Sequence, residues 1–334
     1  MIRLTDEHWE RIRDRFPEEH IPDGRPGRKP VPTRRVLEAV LWILNTGAQW
    51  HMLPQSYPNY KTVHRRFQSW CHSEVLRQVL TDVANELREK GVLDEEESFI
   101  DATFAMAKGG GAEVGPTKRG KGMKIMAIVD RHGLPLSVST HAANHHEVRL
   151  VQLCFDFYMI DAKPETLIGD RAYDSDPLDD QLREDGIEMV APHRSNRRKR
   201  ATQDGRRLRR YARRWLIERF FAWIQWQRRI LVRWEFYPKN FLGFVQLACL
   251  LVLFKRFEIG SRRPIHETSS LGTGDSFVDS SFVSDRTRSC SMARWRQAVE
   301  LAMTDEDIEK LAAIARSRSE AARRVERAQT PQAI

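Results

Sequence analysis

The chain has 334 residues, with 55 Lys and Arg against 46 Asp and Glu for a formal net charge of +9, and four cysteines, Cys71, Cys154, Cys249 and Cys290. Hydrophobic residues at 41% and charged residues at 30% describe a globular chain with room for two or three domains, not a disordered one. No two cysteines form a CxxC pair, which argues against a thiolate zinc site or a disulfide framework and suits a reducing cytosol.

The opening MIRLTDEHWERIRDRF has no apolar h-region, so it does not read as a signal peptide. Residues 1–95 predict helices. Thr5 is placed to cap the first, with Asp6 and Glu7 in its opening turn. Thr33 is placed to cap a second, in which Val36, Leu37, Val40, Leu41 and Leu44 recur at helical spacing as far as Gly47. A third helix is predicted around Asn59 to Cys71, after a loop containing Pro54 and Pro58. Glu74 to Lys90 reads as an amphipathic helix closed by Gly91.

From residue 98 to 191 the pattern changes to short β-like runs: SFIDATFAMA, KIMAIVD, LPLSVST, ETLIGD and IEMVA. Helical stretches are predicted among them, at about Asn144 to Ile160 and Pro177 to Glu184. The glycines between Gly109 and Gly122, mixed with Lys108, Lys118, Arg119, Lys121 and Lys124, predict a flexible basic hairpin between the first two strands. Helix returns from Gly205 to Val232 and from Asn240 to Phe257. The apolar run Phe241 to Phe254 is about 14 residues, broken by Gln246, against the roughly 18 that suggest a membrane span; no membrane partner is expected.

The charge is concentrated. From His193 to Arg214 there are eleven basic residues against the single acid Asp204. Such a block cannot be packed inside, so it is either a solvated loop or a surface for a polyanion, and phosphate contact is the stronger reading. After Ile259 the composition shifts again: residues 261–291 contain nine serines and little apolar periodicity. The expected organisation is a helical domain over 1–95, an α/β domain over 96–258, a Ser-rich linker over 259–291 and a helical tail over 292–334.

Three acids stand out. Asp101 lies inside the apolar run FIDATF, where a lone carboxylate is costly unless paired, ligated or facing a cleft. Asp170 ends TLIGD, at a strand's carboxyl end, where sites of α/β sheets collect. Glu218 sits on the helix from Gly205, opposite the Leu216, Phe220, Ile224 stripe and near Tyr211, Arg214, Gln225 and Arg229 by the helical period. Singly, each has an ordinary explanation: a hydrogen-bonded core Asp, a helix cap, a surface ion pair. Together they form an oxygen-only ligand set for hard cations such as Mg²⁺ or Mn²⁺, and two such ions can clamp an in-line phosphoryl transfer. Adjacent His145 and His146 cannot grip one metal as an i, i+4 pair. The chain has neither a GxSxG elbow nor a GxxxxGK[ST] loop.

FIDATF, TLIGDRAYDSDPL and RRYARRWLIERFFAWIQWQRRILVRWE, in that order, resemble the three blocks of DDE-type bacterial insertion-sequence transposases. The insertion sequence five family is the nearest resemblance. Its downstream block has a Tyr, an Arg three on and a Glu four further, matched here by Tyr211, Arg214 and Glu218. Where the wider superfamily often has a Lys seven past that Glu, this chain has Gln225. The segment GAQWHMLPQSYPNYKTVHRRFQSW is similar to the family's amino-terminal region, so the resemblance runs from about Leu4 to Phe257. The tail from Met292 is similar to the truncated start of an insertion sequence six-thirty family transposase.

The resemblance implies an α/β, RNase H-like mixed five-stranded sheet with flanking helices, preceded by an all-α helix-turn-helix-like domain. It implies that Asp101, Asp170 and Glu218 are the catalytic, metal-binding triad for two Mg²⁺ or Mn²⁺ ions, and that Tyr211 and Arg214 support Glu218 or hold DNA. A recognition helix is then expected to present Lys61, Thr62, His64, Arg65, Arg66 and Gln68, with Val63, Phe67 and Trp70 on its core side. Arg194, Arg197, Arg198, Arg206, Arg207, Arg210 and Gln225 complete the expected DNA contacts. The activity implied is a bacterial, cytoplasmic and nucleoid-associated transposase. It would bind terminal inverted repeats of double-stranded DNA as a homodimer or larger assembly, and cut and join strands. The alternatives are an inactive DNA-binding relic and an RNase H-like nuclease.

Overall fold

The computed structural model describes residues 4–22, 29–195, 197 and 205–260, with side chains as far as residue 257. The linker and tail expectations lie outside the described residues.

Thr5 accepts a hydrogen bond from His8 N–H and starts α1 (Asp6–Ile12). The second helix, α2 (Thr33–Thr46), begins at Thr33 itself with Pro32 at the cap position, so Thr33 is the first helical residue rather than the cap. Its stripe, Val36, Leu37, Val40, Leu41 and Leu44, is buried as the spacing requires. Gly47, at φ 71°, closes it by donating its N–H to the Ile43 carbonyl. The Asn59 side chain caps α3 (Tyr60–His72), whose Val63, Phe67 and Trp70 face the core, and α4 (Val75–Glu89) follows after Ser73 and Glu74. The connection from Gly47 to Asn59 is much longer than the three or four residues of a helix-turn-helix turn. Trp50 anchors it, stacked on His64 at 4.5 Å and packed against Phe67 and Phe244.

The chain then forms β1 (Glu97–Ala107), β2 (Gly115–Thr117), β3 (Gly120–Asp130) and β4 (Pro135–Ala142), followed by α5 (Glu147–Phe155), β5 (Thr166–Ile168), α6 (Asp176–Glu184) and β6 (Glu188–Val190). The main sheet runs β4-β3-β1-β5-β6, antiparallel as far as β1 and parallel from β1 to β6. This is the mixed, RNase H-like sheet expected, with β1 at its centre. Two short strands enlarge the expected five to seven: β2 pairs with β3, and β7 (Val232–Arg233) pairs with the end of β1. The helix expected from Asn144 to Ile160 is shorter, beginning after His146, because the chain turns at Phe157 and Tyr158 to bridge Ser137.

The single helix expected from Gly205 to Val232 is broken. It divides into α7 (Gly205–Leu208), a 3₁₀ segment over Arg209–Arg213, α8 (Trp215–Gln225) and a second 3₁₀ turn over Arg228–Ile230 before β7. Helix period therefore does not place Arg229 beside the three acids. Arg229 instead turns inward to Glu235, with Nε and Nη2 at 2.8 and 2.7 Å from Oε1, and that buried pair outweighs local helix preference.

The last element, α9 (Pro238–Gly260), is long and apolar enough to cross a membrane by length and composition, yet 78% of its apolar window is buried inside the fold. It packs against α3, α4, α8 and β4. Its uniform apolarity is that of a core helix touched on every side. Gly243 allows the closest approach, since a Cβ there would meet the Cys71 sulfur at 2.4 Å. Through α9 the amino-terminal helices and the sheet share one continuous hydrophobic core.

Candidate active site

Glu97, Ser98 and Phe99 of β1 lie opposite Thr166, Leu167 and Ile168 of β5. Two residues further on each parallel strand come Asp101 and Asp170, so the register itself brings the acids level. Gly169 still donates its N–H to the Val190 carbonyl, and Asp170 after it caps the turn over Arg171–Tyr173, its carboxylate accepting from the Ala172 N–H at 2.7 Å. On α8 the buried face (Leu216, Ile217, Phe220, Phe221, Ile224) turns Glu218 toward the rim.

One guanidinium joins the three. Arg214 reaches Asp101 at 3.1 Å and Asp170 at 3.8 Å through Nη1, and Glu218 at 2.6 Å through Nη2. Tyr211 lies beneath it, ring to guanidinium 5.9 Å. Burial pushes the Asp101 carboxyl up to about 6, against the Ala102 N–H and Arg214, which favour its ionised form; Asp170 and Glu147 add to the rise. Two residues beyond Asp101 on β1, Thr103 accepts from Gln225 at 3.1 Å, which fixes the far end of α8 on the strand. Among the described residues no three His, Cys, Asp or Glu side chains are close enough as they stand to hold a metal ion; here the carboxylates are parted around Arg214.

The basic block is more engaged than its sequence implies. Asp174, buried just past Asp170, accepts from the Arg194 backbone N–H at 2.7 Å, from Arg197 at 2.8 Å, and faces His193 at 2.9 Å. Burial opposes its ionisation, but those donors outweigh it and hold its pKa below the ordinary value. Arg197 also pairs with Asp176, so this expected DNA contact is consumed internally. The Arg194 side chain donates to the carbonyls of Arg171 and Ala172. Arg207 pairs with Glu188, and Arg210 with Thr166 and Glu97. Arg206 is exposed, and Arg198 lies outside the described residues. The Asp174 clasp was not singled out from the sequence; the Asp four residues after Asp170 was its only local signal.

On α3, Lys61 and Arg65 are exposed and Thr62 and Gln68 half-buried. His64 is half-buried against Trp50, and burial lowers its pKa, helped by Arg229. Arg66 is a correction to its expected role: it pairs with Glu18 at 3.0 Å, donates to Thr33 and the Val31 carbonyl, and lies over Trp70. It ties α3 to the start of α2 and offers little to a ligand.

A cavity of about 390 Å³ opens beside Asp170, lined by Lys124, His146, Glu147, Arg171, Ala172 and Arg194. Lys124 bridges its wall, 2.9 Å from both Glu147 and the His145 carbonyl. The strand order, with Asp101 in the middle of β1 and Asp170 two residues past β5, is that of an RNase H-like fold. Residues 4–80 match a family described as "Putative transposase of IS4/5 family", and residues 93–253 match the transposase DDE domain. The chain belongs to the DDE insertion-sequence transposases, and it is a DNA transposase in function.

Similar proteins include the uncharacterized protein y4sN of Sinorhizobium fredii, 34% identical over 31% of this chain and 76% of that protein. A protein of Burkholderia cepacia named "Putative transposase for insertion sequence element IS402" is 32% identical over 41% of this chain and 65% of its own length. Among solved structures, a piggyBac transposase synaptic complex with hairpin DNA matches at 11% identity, 79% of this chain, 76% of that chain and TM-score 0.45. The Mos1 strand transfer complex matches at 12% identity, 74% and 85% coverage, and TM-score 0.23.

Proposed function

We propose that Asp101, Asp170 and Glu218 are the catalytic carboxylates, and that the protein cuts and joins double-stranded DNA at the terminal inverted repeats of its own element. The observation that carries this is the single Arg214 side chain reaching all three acids, brought together from β1, the turn after β5, and α8.

The family implies a divalent metal, and the donor set fits one in kind: three carboxylates gathered around a positive charge are hard oxygen donors suited to Mg²⁺ or Mn²⁺. When bound, two such ions supply charge to activate the attacking oxygen and to stabilise the leaving alkoxide. The chain's own part is positional. Asp101 and Asp170 are fixed by the β1–β5 register, while Glu218 is carried by α8 and secured through Gln225 and Thr103. Arg214 holds the acids together by neutralising their mutual repulsion, and Asp101, Asp170 and Glu218 are the residues that would hold the ions.

Lys61, Thr62, His64 and Arg65 on α3, with Gln68, are the side chains proposed to read the repeat. Arg206, Arg207, Arg210, Arg194 and Tyr211 are proposed to line the phosphate path. Two element ends must be held at once, so the working form is a homodimer or larger, acting on the chromosome in the cytoplasm.

The test is a strand-transfer assay with DNA carrying the element's ends, Mg²⁺, and Asp170→Asn as control. Joined product from the wild type alone supports the reading. Cut but unjoined ends replace it with a nuclease, and bound, intact DNA with an inactive binder.

A further inference from the structure

Between α8 and α9 the chain displays four large aromatic side chains to solvent: Trp226 at 77% exposure, Trp234 at 54%, Phe236 at 60% and Tyr237 at 51%. Large apolar rings turned outward over so short a stretch do nothing for the core, and a segment that exposes so many of them points to a binding site. Yet the backbone that carries the last three is firmly fixed.

Arg233 is fully buried and donates to the carbonyls of Glu235, Phe236 and Ala112 at 2.7–2.8 Å. The buried Arg229–Glu235 pair braces the same segment, with Glu235 accepting from the Trp234 N–H and Arg229 donating to the Ala48 carbonyl. Gly109 and Gly111 lie so close beneath that a Cβ on either would meet the carbonyl oxygens of Trp234 and Phe236, at 2.5 and 2.0 Å. Two buried arginines spent on holding outward-facing rings describe a built platform rather than a loose loop.

Charge and position select the occupant. Within Trp226–Lys239 the exposed charges are Arg228 and Lys239, both positive, and the lone acid, Glu235, is buried. Exposed aromatics interleaved with cations are the chemistry of a single-stranded nucleic acid surface, because every base has a stacking face and its backbone is anionic. The platform is continuous with the rest of the machinery. Val232 and Arg233 pair with Met106 and Ala107 at the end of β1, about 17 Å along the strand from Asp101 at 3.3 Å per residue. At the other end Tyr237 packs edge-on against His72, the last residue of α3, with ring centroids 6.2 Å apart.

We propose that Trp226, Trp234, Phe236 and Tyr237 form a stacking platform for unpaired bases, holding a DNA strand that has left the duplex between α3 and the catalytic carboxylates. This rests on the reading of the chain as a DNA-cutting transposase and adds to it a separate site for single-stranded DNA.

The test uses the full chain with a mixed-sequence single strand of about 20 nucleotides and the matching blunt duplex. The variant W226A/W234A/F236A removes exposed rings only, and its melting temperature serves as the folding control. The expected result is a loss of about tenfold or more in single-strand affinity, with duplex affinity unchanged. Wild-type protein should also show tryptophan quenching by the single strand that the variant lacks. Unchanged single-strand affinity, or equal losses for both DNAs, overturns the platform. A variant that becomes monomeric by sedimentation while keeping its single-strand affinity shows a subunit interface instead, and also overturns it. Wild type that binds duplex and transfers strands but ignores single strands sinks this inference alone. Wild type that binds neither DNA sinks the transposase reading with it.

Discussion

The guanidinium of Arg214 lies 3.1 Å from the carboxylate of Asp101, although 113 residues separate them in the chain. Asp101 is nevertheless held near a pKa of about 6, because burial works against its charge more strongly than the Ala102 N–H and Arg214 support it. A carboxyl raised above its unfolded value of 3.8 binds its proton more tightly when folded. Its contribution to stability is therefore full below about pH 4 and is lost as pH rises through about 6. Asp101→Asn should match the wild type near pH 4 and exceed it by about 2 kcal/mol at pH 7 without metal, as read by urea unfolding. Equal pH profiles for the two proteins would show that Asp101 ionises freely.

Arg214→Gln removes the charge that three carboxylates share. The metal-free protein should lose about 1–3 kcal/mol at pH 7. Added Mn²⁺ should then raise the melting temperature of the variant more than that of the wild type, because the carboxylates have lost their resident cation. A smaller metal-induced shift in the variant would mean that Arg214 and the metal do not compete.

The buried Arg229–Glu235 pair should be severe to break on one side. Glu235→Leu or Arg229→Met is expected to cost about 3–5 kcal/mol in chemical unfolding, since each leaves the other group without its partner. Arg229→Met combined with Glu235→Leu should recover part of that loss. A double variant as unstable as the sum of the singles would deny their coupling.

The α3 cations separate by partner. Lys61→Ala and Arg65→Ala should each lower the dependence of DNA affinity on salt by roughly one unit of slope, as expected when one phosphate contact is lost. Arg66→Ala should leave that slope alone and lower the melting temperature, because its guanidinium is committed to Glu18, Thr33 and Val31. A reduced slope for Arg66→Ala would restore it to the DNA surface.

The strand runs were legible because β1, β3 and β4 are long and apolar, and the three acids stood out by context: Asp101 inside such a run, Asp170 just past one, and Glu218 on a helix face opposite an apolar stripe. Their convergence could not be read from spacing alone, since it depends on the β1–β5 register and on where α8 lands. The long helix expected from Gly205 is interrupted twice, at Arg209–Arg213 and after Gln225, and the second break has a tertiary reason: Arg229 finds Glu235 and the chain turns to allow it. Arg66 and Arg197 looked like DNA contacts because their acid partners, Glu18 and the pair Asp174 and Asp176, lie 48 and more than 20 residues away in sequence. The exposed rings of Trp234 and Phe236 gave no warning either, as an aromatic-rich segment before an apolar helix reads as core.

Phe244, a third of the way along α9, rests on Phe67 of α3 at 4.4 Å and beneath Arg229 at 5.7 Å. A single side chain thus wedges the amino-terminal helices against the segment that closes the central strand, leaving no hinge between them. On the proposed reading such a protein would act as a ruler: DNA gripped along α3 would meet Asp101 at a fixed number of base pairs. Moving the cut would take a rebuilt interior rather than a longer loop.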